Sequence, residues 1–409
     1  MSRIKIHNFG PIKTGYPDEG GWIDINKVTV FIGNQGSGKS TIAKLISAFT
    51  WIEKALVRGD YKKNWFERKN KLKNQLLNYH RLENYFKDDG EAKTDIEYHG
   101  DAFSISYKDG TVEIEEIAHK SYSLPQLMYV PAERNFIAYV KSPKELKLSS
   151  PSLKEFLTEY DNALNSIKEV VELPVNKTSV EYDKLNDTVN LRGEGYKLKL
   201  TEASSGFQSL VPLFLVSDYL AKSVKKQSGN EPMSGEEIQR FRKGVEEIWS
   251  NADLNDEQKR IALSVLSSKF NKTSFINIVE EPEQNLFPSS QQKLLYSLLR
   301  FNNMNPGNKL IMTTHSPYLI NYLTLAVKAK ILLEKTSDDQ LISEIDKIVP
   351  KGSALSPEDL TIYELDELSG SIKKLETING LPSDENELNE SLQESNELFA
   401  KLLEIQQDL

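Results

Sequence analysis

The sequence contains no cysteine. Disulfides, thiolate zinc sites and cysteine nucleophiles are therefore excluded. Histidine is also scarce, because the chain has five, at positions 7, 80, 99, 119 and 315, and their spacing is not that of metal ligands. Neither cysteine chemistry nor a histidine-ligated metal centre is therefore expected.

Long hydrophobic runs are absent as well. The best apolar run, Leu210 to Val216, is far shorter than the roughly 20 residues that span a bilayer. The sequence does not open with a basic segment followed by an apolar one, so secretion is not expected. We expect a cytoplasmic protein without membrane contact, whose length corresponds to about two to three domain-sized lobes.

The sequence lacks an excess of positive charge, since 51 Lys and Arg stand against 60 Asp and Glu, for a net charge of −9. This balance weighs against broad electrostatic attraction to nucleic acid. Residues 61–87 depart from it, with eight Lys or Arg, two Glu and interleaved aromatic residues. Such a segment can bind a single strand or an acidic protein by charge and stacking. We favour a helical lid with buried aromatics and solvated lysines.

The most informative stretch that is present runs from Val28 to Thr41. An apolar, β-branched run, Val28 to Ile32, leads directly into G-x-x-x-x-G-K-S and then into a helical pattern. This is the context of a phosphate-binding P-loop, whose backbone N–H groups and helix N-terminus bind phosphate oxygens. Lys39 is expected to reach the β- and γ-phosphates of ATP, and Ser40 to ligate Mg²⁺.

A second apolar run, Phe275 to Val279, ends in the acidic sequence Glu280-Glu281-Pro282-Glu283. Carboxylates at the carboxyl end of such a strand lie where Mg²⁺ and the attacking water sit in open α/β sheets. We predict that Glu280 coordinates Mg²⁺, through water, and that Glu281 is the general base.

Two further segments extend this pattern. Lys309 to Thr313 reads as another strand, and His315 follows it, where it can hydrogen-bond a γ-phosphate and sense its loss. Ser204-Ser205-Gly206-Phe207-Gln208 precedes an apolar helix and forms a second anion site. One nucleotide does not need two phosphate sites in one chain unless the second serves the nucleotide of a neighbour.

The order of these motifs resembles the ABC/SMC-like ATPases, the group that contains RecF, the overcoming-lysogenization-defect nucleases and many stand-alone AAA family ATPases. The resemblance rests on Gly33 to Thr41 (Walker A), Ser205 to Gln208 (signature), Ile278 to Glu283 (Walker B), Gln284 to Pro288 (D-loop) and Thr314 to Ser316 (switch histidine). Two features differ. Glu280 stands where Asp is usual, and the loop expected to hold a metal-sensing Gln contains Glu133 and Arg134.

The resemblance implies an α/β P-loop NTPase fold, an ABC-type ATPase head with inserted helical segments. It also implies that two heads trap ATP and Mg²⁺ at their interface, with Walker A of one subunit and the signature of the other on one nucleotide. Glu281 and His315 would be catalytic, and Ser40 and Glu280 would bind the metal. The nucleotide-binding residues would be Gly33, Asn34, Gly36, Ser37, Gly38, Lys39, Ser40, Thr41, Ser205, Gly206 and Gln208.

The spacing of the motifs predicts how the rest of the chain is divided into domains and insertions. We predict an ATPase head over residues 1–335, with helical insertions at about 51–90 and 225–272, and a C-terminal extension over 336–409. Residues 384–409 hold eight Asp or Glu and one Lys, and their apolar residues recur at near-helical spacing. This acidic tail either packs on its own head or is a docking helix for a partner. Only 69 residues separate Arg134 from Ser204, too few for the long coiled coil of SMC proteins.

Three function classes follow from the resemblance. Length and the segment Asn379 to Ser383 are most similar to the ATPase subunit of PARIS antiphage systems. That family implies a homo-oligomeric ATPase that sequesters a separate TOPRIM nuclease until a phage-encoded trigger protein is sensed; no Asp-x-Asp metal motif of a fused nuclease follows His315. The alternative is a RecF-like ATPase that clamps DNA. A transporter subunit is disfavoured by Glu280 and by the signature sequence.

Overall fold

The computed structural model describes residues 2–58, 60–87, 93–117, 122, 124–140, 143, 147–228, 235–268 and 273–407. Its strands are Arg3–His7 (β1), Ile23–Asp24 (β2), Val28–Gly33 (β3), Asp95–His99 (β4), Phe103–Lys108 (β5), Thr111–Glu116 (β6), Pro125–Val130 (β7), Val170–Glu172 (β8), Ser179–Asp183 (β9), Thr188–Gly193 (β10), Tyr196–Lys199 (β11), Ser274–Glu280 (β12), Lys309–Thr313 (β13), Leu360–Leu365 (β14), Ile372–Lys374 (β15), Thr377–Ile378 (β16) and Leu381–Pro382 (β17). Its α-helices are Lys39–Arg58 (α1), Lys63–Phe66 (α2), Asn135–Tyr139 (α3), Pro151–Ser166 (α4), Ser205–Ser228 (α5), Gly235–Ser250 (α6), Asp256–Ser268 (α7), Pro288–Asn302 (α8), Pro317–Lys335 (α9), Asp339–Ile348 (α10) and Glu387–Gln407 (α11).

A six-stranded sheet in the order β15-β14-β3-β13-β12-β7 forms the centre of the molecule. All neighbours are parallel except the edge pair β14–β15. The P-loop strand β3 is buried at every position, as expected for a parallel strand covered on both faces. Val28, Val30 and Ile32 pack into one hydrophobic core with α5, α8 and α9, and Phe31 packs into a second core with α1.

The central sheet extends past the predicted end of the head. Strand β14 pairs in parallel with β3 over its whole length, from Leu360 beside Val28 to Leu365 beside Gly33. The predicted boundary at residue 335 is therefore misplaced as a limit of the sheet, because the C-terminal segment supplies the strand next to the P-loop strand.

Two antiparallel sheets flank the central one. The first has the order β2-β1-β4-β5-β6, and its alternating buried residues pack on α1. The second, β11-β10-β9-β8, is a meander in which β10 and β11 turn at Gly193 to Tyr196. Alternating apolar residues predict antiparallel strands over 94–118, which form β4 to β6, and a hairpin over 179–200, where the structure has the three strands β9 to β11. The pairing with β1, β2 and β8 is not predicted.

The helical insertions take different forms. Residues 51–58 continue the P-loop helix α1, and the basic segment that follows forms α2, a π-helical turn over Leu72–Leu77 and a short 3-10 turn. Phe66 and Tyr79 are buried, while Lys62, Lys63, Arg68 and Lys69 are exposed. Burial of these two aromatic rings with exposed cations agrees with the interpretation that we favoured, although Tyr85 is exposed and Lys71 lies over the Trp65 ring; a lid function stays a prediction.

The acidic tail forms α11, whose first residues pack against the rest of the chain and whose later residues are exposed. Leu388 is partly buried against the core that contains β3, and the start of α11 lies near that strand. Leu398, Phe399, Leu402, Leu403 and Ile405 are 43–63% exposed. The second half of the apolar face of α11 is thus uncovered by its own chain. No helix within the described ranges is both long enough and apolar enough to cross a bilayer.

Candidate functional site: a P-loop facing two carboxylates and a histidine

The P-loop turns sharply because two of its glycines adopt conformations closed to other residues. Gly33 has a φ of +134° and Gly38 a φ of +107°. A Cβ at Gly33 would lie 2.2 Å from the carbonyl oxygen of Leu365 in β14, and one at Gly38 would lie 3.0 Å from Ile12. The loop is therefore packed closely against β14 on one side and against the N-terminal segment on the other.

Lys39 lies inside the loop and binds its backbone. Its Nζ donates to the carbonyl oxygens of Gly33 at 2.8 Å and Asn34 at 2.6 Å. Burial lowers the pKa of Lys39 to about 8, and the nearby Glu281 carboxylate opposes that shift. The ammonium is held where a P-loop lysine meets phosphate, and the phosphate can replace the two carbonyl groups as its partner.

The strand end of β12 places Glu280 and Glu281 differently. Glu280 is 4% exposed, and its Oε2 accepts from the N–H of Ala132 at 3.1 Å. Its Oε1 lies 3.8 Å from the Nζ of Lys44 and has no hydrogen-bond partner among the described residues. A buried carboxylate oxygen in that state fits a hydrated Mg²⁺, which is held by one or two side chains and by phosphates. Ser40, the second residue of α1, is partly exposed beside the loop and can supply the other ligand.

Glu281 faces the P-loop with a strained backbone. Its φ is +43°, in the left-handed region that non-glycine residues rarely occupy outside functional sites. Its Oε1 lies 3.7 Å from the Nε2 of His315. Burial, and next the Glu280 carboxylate, raise the pKa of Glu281 above its ordinary value. A carboxylate with raised pKa beside a phosphate-binding loop can accept a proton from water.

His315 is held in place by Glu283. The Glu283 Oε1 accepts from the Thr314 hydroxyl at 2.8 Å and from the His315 N–H at 2.7 Å. Burial, followed by the charge of Lys39, lowers the pKa of His315, which favours the neutral ring. Glu283 belongs to the predicted acidic motif, but the sequence indicates no role for it. Its partners Thr314 and His315 directly follow β13, the neighbouring strand of the sheet.

The contacts of Arg134 were also not indicated by the sequence. It is fully buried, and its guanidinium donates to the carbonyl oxygens of Glu280 at 2.7 Å and Glu281 at 2.6 Å. It also donates to the carbonyl oxygen of Ser209 in α5 at 3.1 Å. The sequence assigned Arg134 to a loop near the metal, and no local signal indicated that its partners are backbone carbonyls of two distant segments.

The signature residues lie at the start of α5. Ser204 and Ser205 are exposed, and a Cβ at Gly206 would lie 2.9 Å from the carbonyl oxygen of Asn285. Among the described residues, no hydrogen bond joins positions 204–206 to the P-loop. Gln208 is buried and donates to the carbonyl oxygens of Leu200 and Thr201, at 3.3 Å each. In this conformation the Gln208 Nε2 is engaged within its own chain, and its contact with a nucleotide stays a prediction.

The C-terminal segment adds acidic residues around the P-loop. The Asn34 side-chain amide donates to Glu367, which follows β14, at 2.9 Å. Glu387 at the start of α11 lies close enough to Lys39 for their charges to interact. These contacts were not predicted, because they join residues more than 300 positions apart in the chain.

Comparison with known proteins gives one family match. The family described as AAA ATPase domain matches residues 250–320, a span that includes β12, the two carboxylates and His315. No curated protein matches the chain in sequence.

Several solved structures are similar over most of the chain. An SMC head bound to the C-terminal winged-helix domain of ScpA is 10% identical with a TM-score of 0.39, covering 91% of this chain and 96% of that one. The SMC head domain from Thermotoga maritima is 9% identical with a TM-score of 0.37, covering 92% and 98%. A dimeric ATP-binding cassette bound to ADP and Pi is 11% identical with a TM-score of 0.27, covering 92% and 100%. At these TM-scores the fold assignment depends on the strand order and the P-loop geometry themselves.

The P-loop strand β3, the carboxylates at the end of β12 two strands away in the same sheet, and the AAA ATPase domain match lead to one conclusion. The chain is an ATP-hydrolysing enzyme with an α/β P-loop fold.

Proposed function

We propose that ATP is bound and hydrolysed between two copies of this chain. The observation that supports this most is the position of Ser205, exposed, and Gly206, half-buried, at a helix N-terminus that makes no hydrogen bond to its own P-loop among the described residues. An exposed N-terminus of a long helix offers N–H groups and partial positive charge to a phosphate. A second copy would bring its own nucleotide to that position.

Each side chain then has a defined part in the reaction. Lys39 and the loop from Gly33 to Thr41 hold the phosphates, and Ser40 and Glu280 hold Mg²⁺, which neutralises charge on the phosphates. Glu281 takes a proton from the attacking water, and His315, 3.7 Å away, contacts the γ-phosphate. ATP then acts as a dimerising ligand, and its hydrolysis releases the contact.

Two inactive variants should restore each other. Lys39→Ala removes the P-loop lysine and leaves α5 intact, while Ser205→Arg blocks the exposed helix start and leaves the P-loop intact. A mixed dimer has one complete site, formed by the P-loop of one variant and α5 of the other. Since a two-fold interface creates two equivalent sites, equal mixing should restore about a quarter of wild-type turnover. Phosphate release from each variant and from the mixture measures this.

The separate variants at the same total concentration are the controls. If the mixture is no more active than they are, although size-exclusion chromatography shows that the two variants associate, the composite site is wrong.

We further propose that the ATP-bound assembly is the sensor and scaffold of an antiphage defence complex. It would hold a separate effector, a TOPRIM nuclease, until a phage-encoded trigger protein is sensed. The resemblance to the ATPase subunit of PARIS systems supports this, together with the uncovered apolar face of α11, which an effector or a neighbouring subunit would cover. The alternative is a RecF-like ATPase that clamps DNA.

Affinity purification of Glu281→Gln from the native host with ATP should recover the nuclease at fixed stoichiometry. Replacing Phe399 and Leu402 together by Ser should reduce that recovery at least about tenfold, because each apolar side chain contributes about 1.5–3 kcal/mol when buried. The matched control replaces Leu185 and Leu368, which are 97% and 79% exposed outside the tail, by Ser. Recovery of DNA and repair proteins without a nuclease would instead favour the RecF-like clamp.

A further inference from the structure

Arg134 is buried without a carboxylate partner among the described residues, although it carries a charge. It is 0% exposed, and its four hydrogen bonds all go to backbone carbonyl oxygens, those of Pro131, Ser209, Glu280 and Glu281. Placing a charge in the interior is costly unless it is fully hydrogen-bonded. The planar guanidinium has several N–H donors in a fixed geometry, and its hydrogen bonds to these carbonyl groups offset that cost. A lysine side chain cannot make the same set of bonds.

Three of these carbonyl groups come from two segments that are distant in the sequence. Glu280 is the last residue of β12 and Glu281 follows it, whereas Ser209 lies in the second turn of α5. The bond to Glu281 is 2.6 Å long and acts on a residue with a φ of +43°. Such a conformation persists only where surrounding contacts impose it. Arg134 and the Thr313 carbonyl, which accepts from the Glu281 N–H at 2.9 Å, supply those contacts.

The start of α5 has one hydrogen bond fewer to the rest of its helix. Pro212 lies inside α5, and it cannot donate to the carbonyl of Gln208, one turn earlier. The segment before Pro212, which contains Ser205, Gly206 and Ser209, is therefore less tightly joined to the turns that follow. Arg134 holds this region from one side, and the Asn285 amide, which donates to the Ser209 hydroxyl at 3.0 Å, holds it from another.

We propose that Arg134 is a positioning residue that makes the placement of Glu281 depend on the start of α5. The inference rests on the proposed composite site, because the ligand that would move the start of α5 is the nucleotide of a second copy. When that nucleotide binds Ser205 and Gly206, the Ser209 carbonyl shifts, Arg134 follows, and the Glu281 carbonyl moves with it. Hydrolysis in one site thereby responds to occupancy of the other.

The test compares Arg134→Lys with wild type in the full-length chain. Lysine keeps the charge but cannot reach three carbonyl groups at once. We expect kcat to fall about 10- to 100-fold, while the affinity for a fluorescent ATP analogue and the ATP-dependent association stay within about threefold of wild type. Arg58→Lys is the matched control. Arg58 is a largely buried arginine at the end of α1, at the opposite end of the helix from the P-loop, and it pairs with Asp60. Its turnover should remain within about twofold.

Two further measurements separate positioning from general stability. The double variant Arg134→Lys, Glu281→Gln should be no slower than Glu281→Gln alone, because both changes remove the same function. Hydrogen exchange of peptides covering 203–212 and 279–286 should slow on ATP binding in wild type in both peptides, but only in the first in Arg134→Lys. Additive rate losses, or wild-type turnover in Arg134→Lys, would overturn the proposal. If mixing of the Lys39 and Ser205 variants also fails, the composite site itself is wrong; if mixing succeeds, the failure concerns Arg134 alone.

Discussion

Glu281→Gln should slow ATP turnover by about 100- to 1,000-fold while ATP binding is retained. The amide keeps the size and shape of the carboxylate but cannot accept a proton from water. The wild-type carboxylate is suited to that task, because burial and Glu280 raise its pKa and bring it toward the working pH. Multiple- and single-turnover phosphate release, with equilibrium binding of ATP, measure the loss.

Two controls define this result. Glu334→Gln changes an exposed carboxylate on α9, 57% exposed at its side chain, and should leave turnover unchanged. The wild-type rate should fall as the pH is lowered through the raised pKa of Glu281, since protonation removes the base. Turnover of Glu281→Gln within about threefold of wild type would take Glu281 out of the role of base.

Gly33→Ala should unfold much of the P-loop region and abolish ATP binding. A Cβ there would lie 2.2 Å from the Leu365 carbonyl oxygen, and the φ of +134° is closed to alanine. The clash is with backbone, so no side chain can rotate away, and we expect a loss of at least about 3 kcal/mol in the free energy of unfolding. Urea denaturation and ATP binding measure the two effects.

Gly36 is the matched control in the same loop. Its φ is +79°, and a Cβ there would have no atom within 4 Å. Gly36→Ala should therefore show only the conformational cost of about 1–2 kcal/mol. Equal losses at the two positions would mean that β14 does not constrain the loop.

The sequence predicts the parts of the fold that depend on short segments. Strands buried on both faces are short continuous apolar runs that can be recognised within a few residues of sequence, so β3, β12 and β13 were located correctly. Parallel pairing then brings their ends to one edge of the sheet, and the expected proximity of Glu281 and His315 follows. The catalytic roles of these residues stay predictions.

Contacts between segments far apart in the chain could not be predicted from the sequence. Residues 359–374 are typical of one or two strands, but no local feature indicates that Leu360 to Leu365 pairs with Val28 to Gly33 rather than lying in a separate extension. The same applies to Arg134, whose partners are backbone carbonyls that any residue type would present. Gln208 was assigned from its place in a motif, and its actual partners are set by the turn before α5.

The pairing of β14 with β3 also has a consequence for biosynthesis. Leu360 is synthesised 332 residues after Val28, and a ribosome working at about 5–20 residues per second needs about 15 to 70 s for that distance. During this time the P-loop strand has an open edge of the kind that recruits foreign strands. The packing of the Leu365 carbonyl against Gly33 is therefore absent until β14 has been made, and we expect fragments that end before β14 to bind ATP more weakly than the full-length chain.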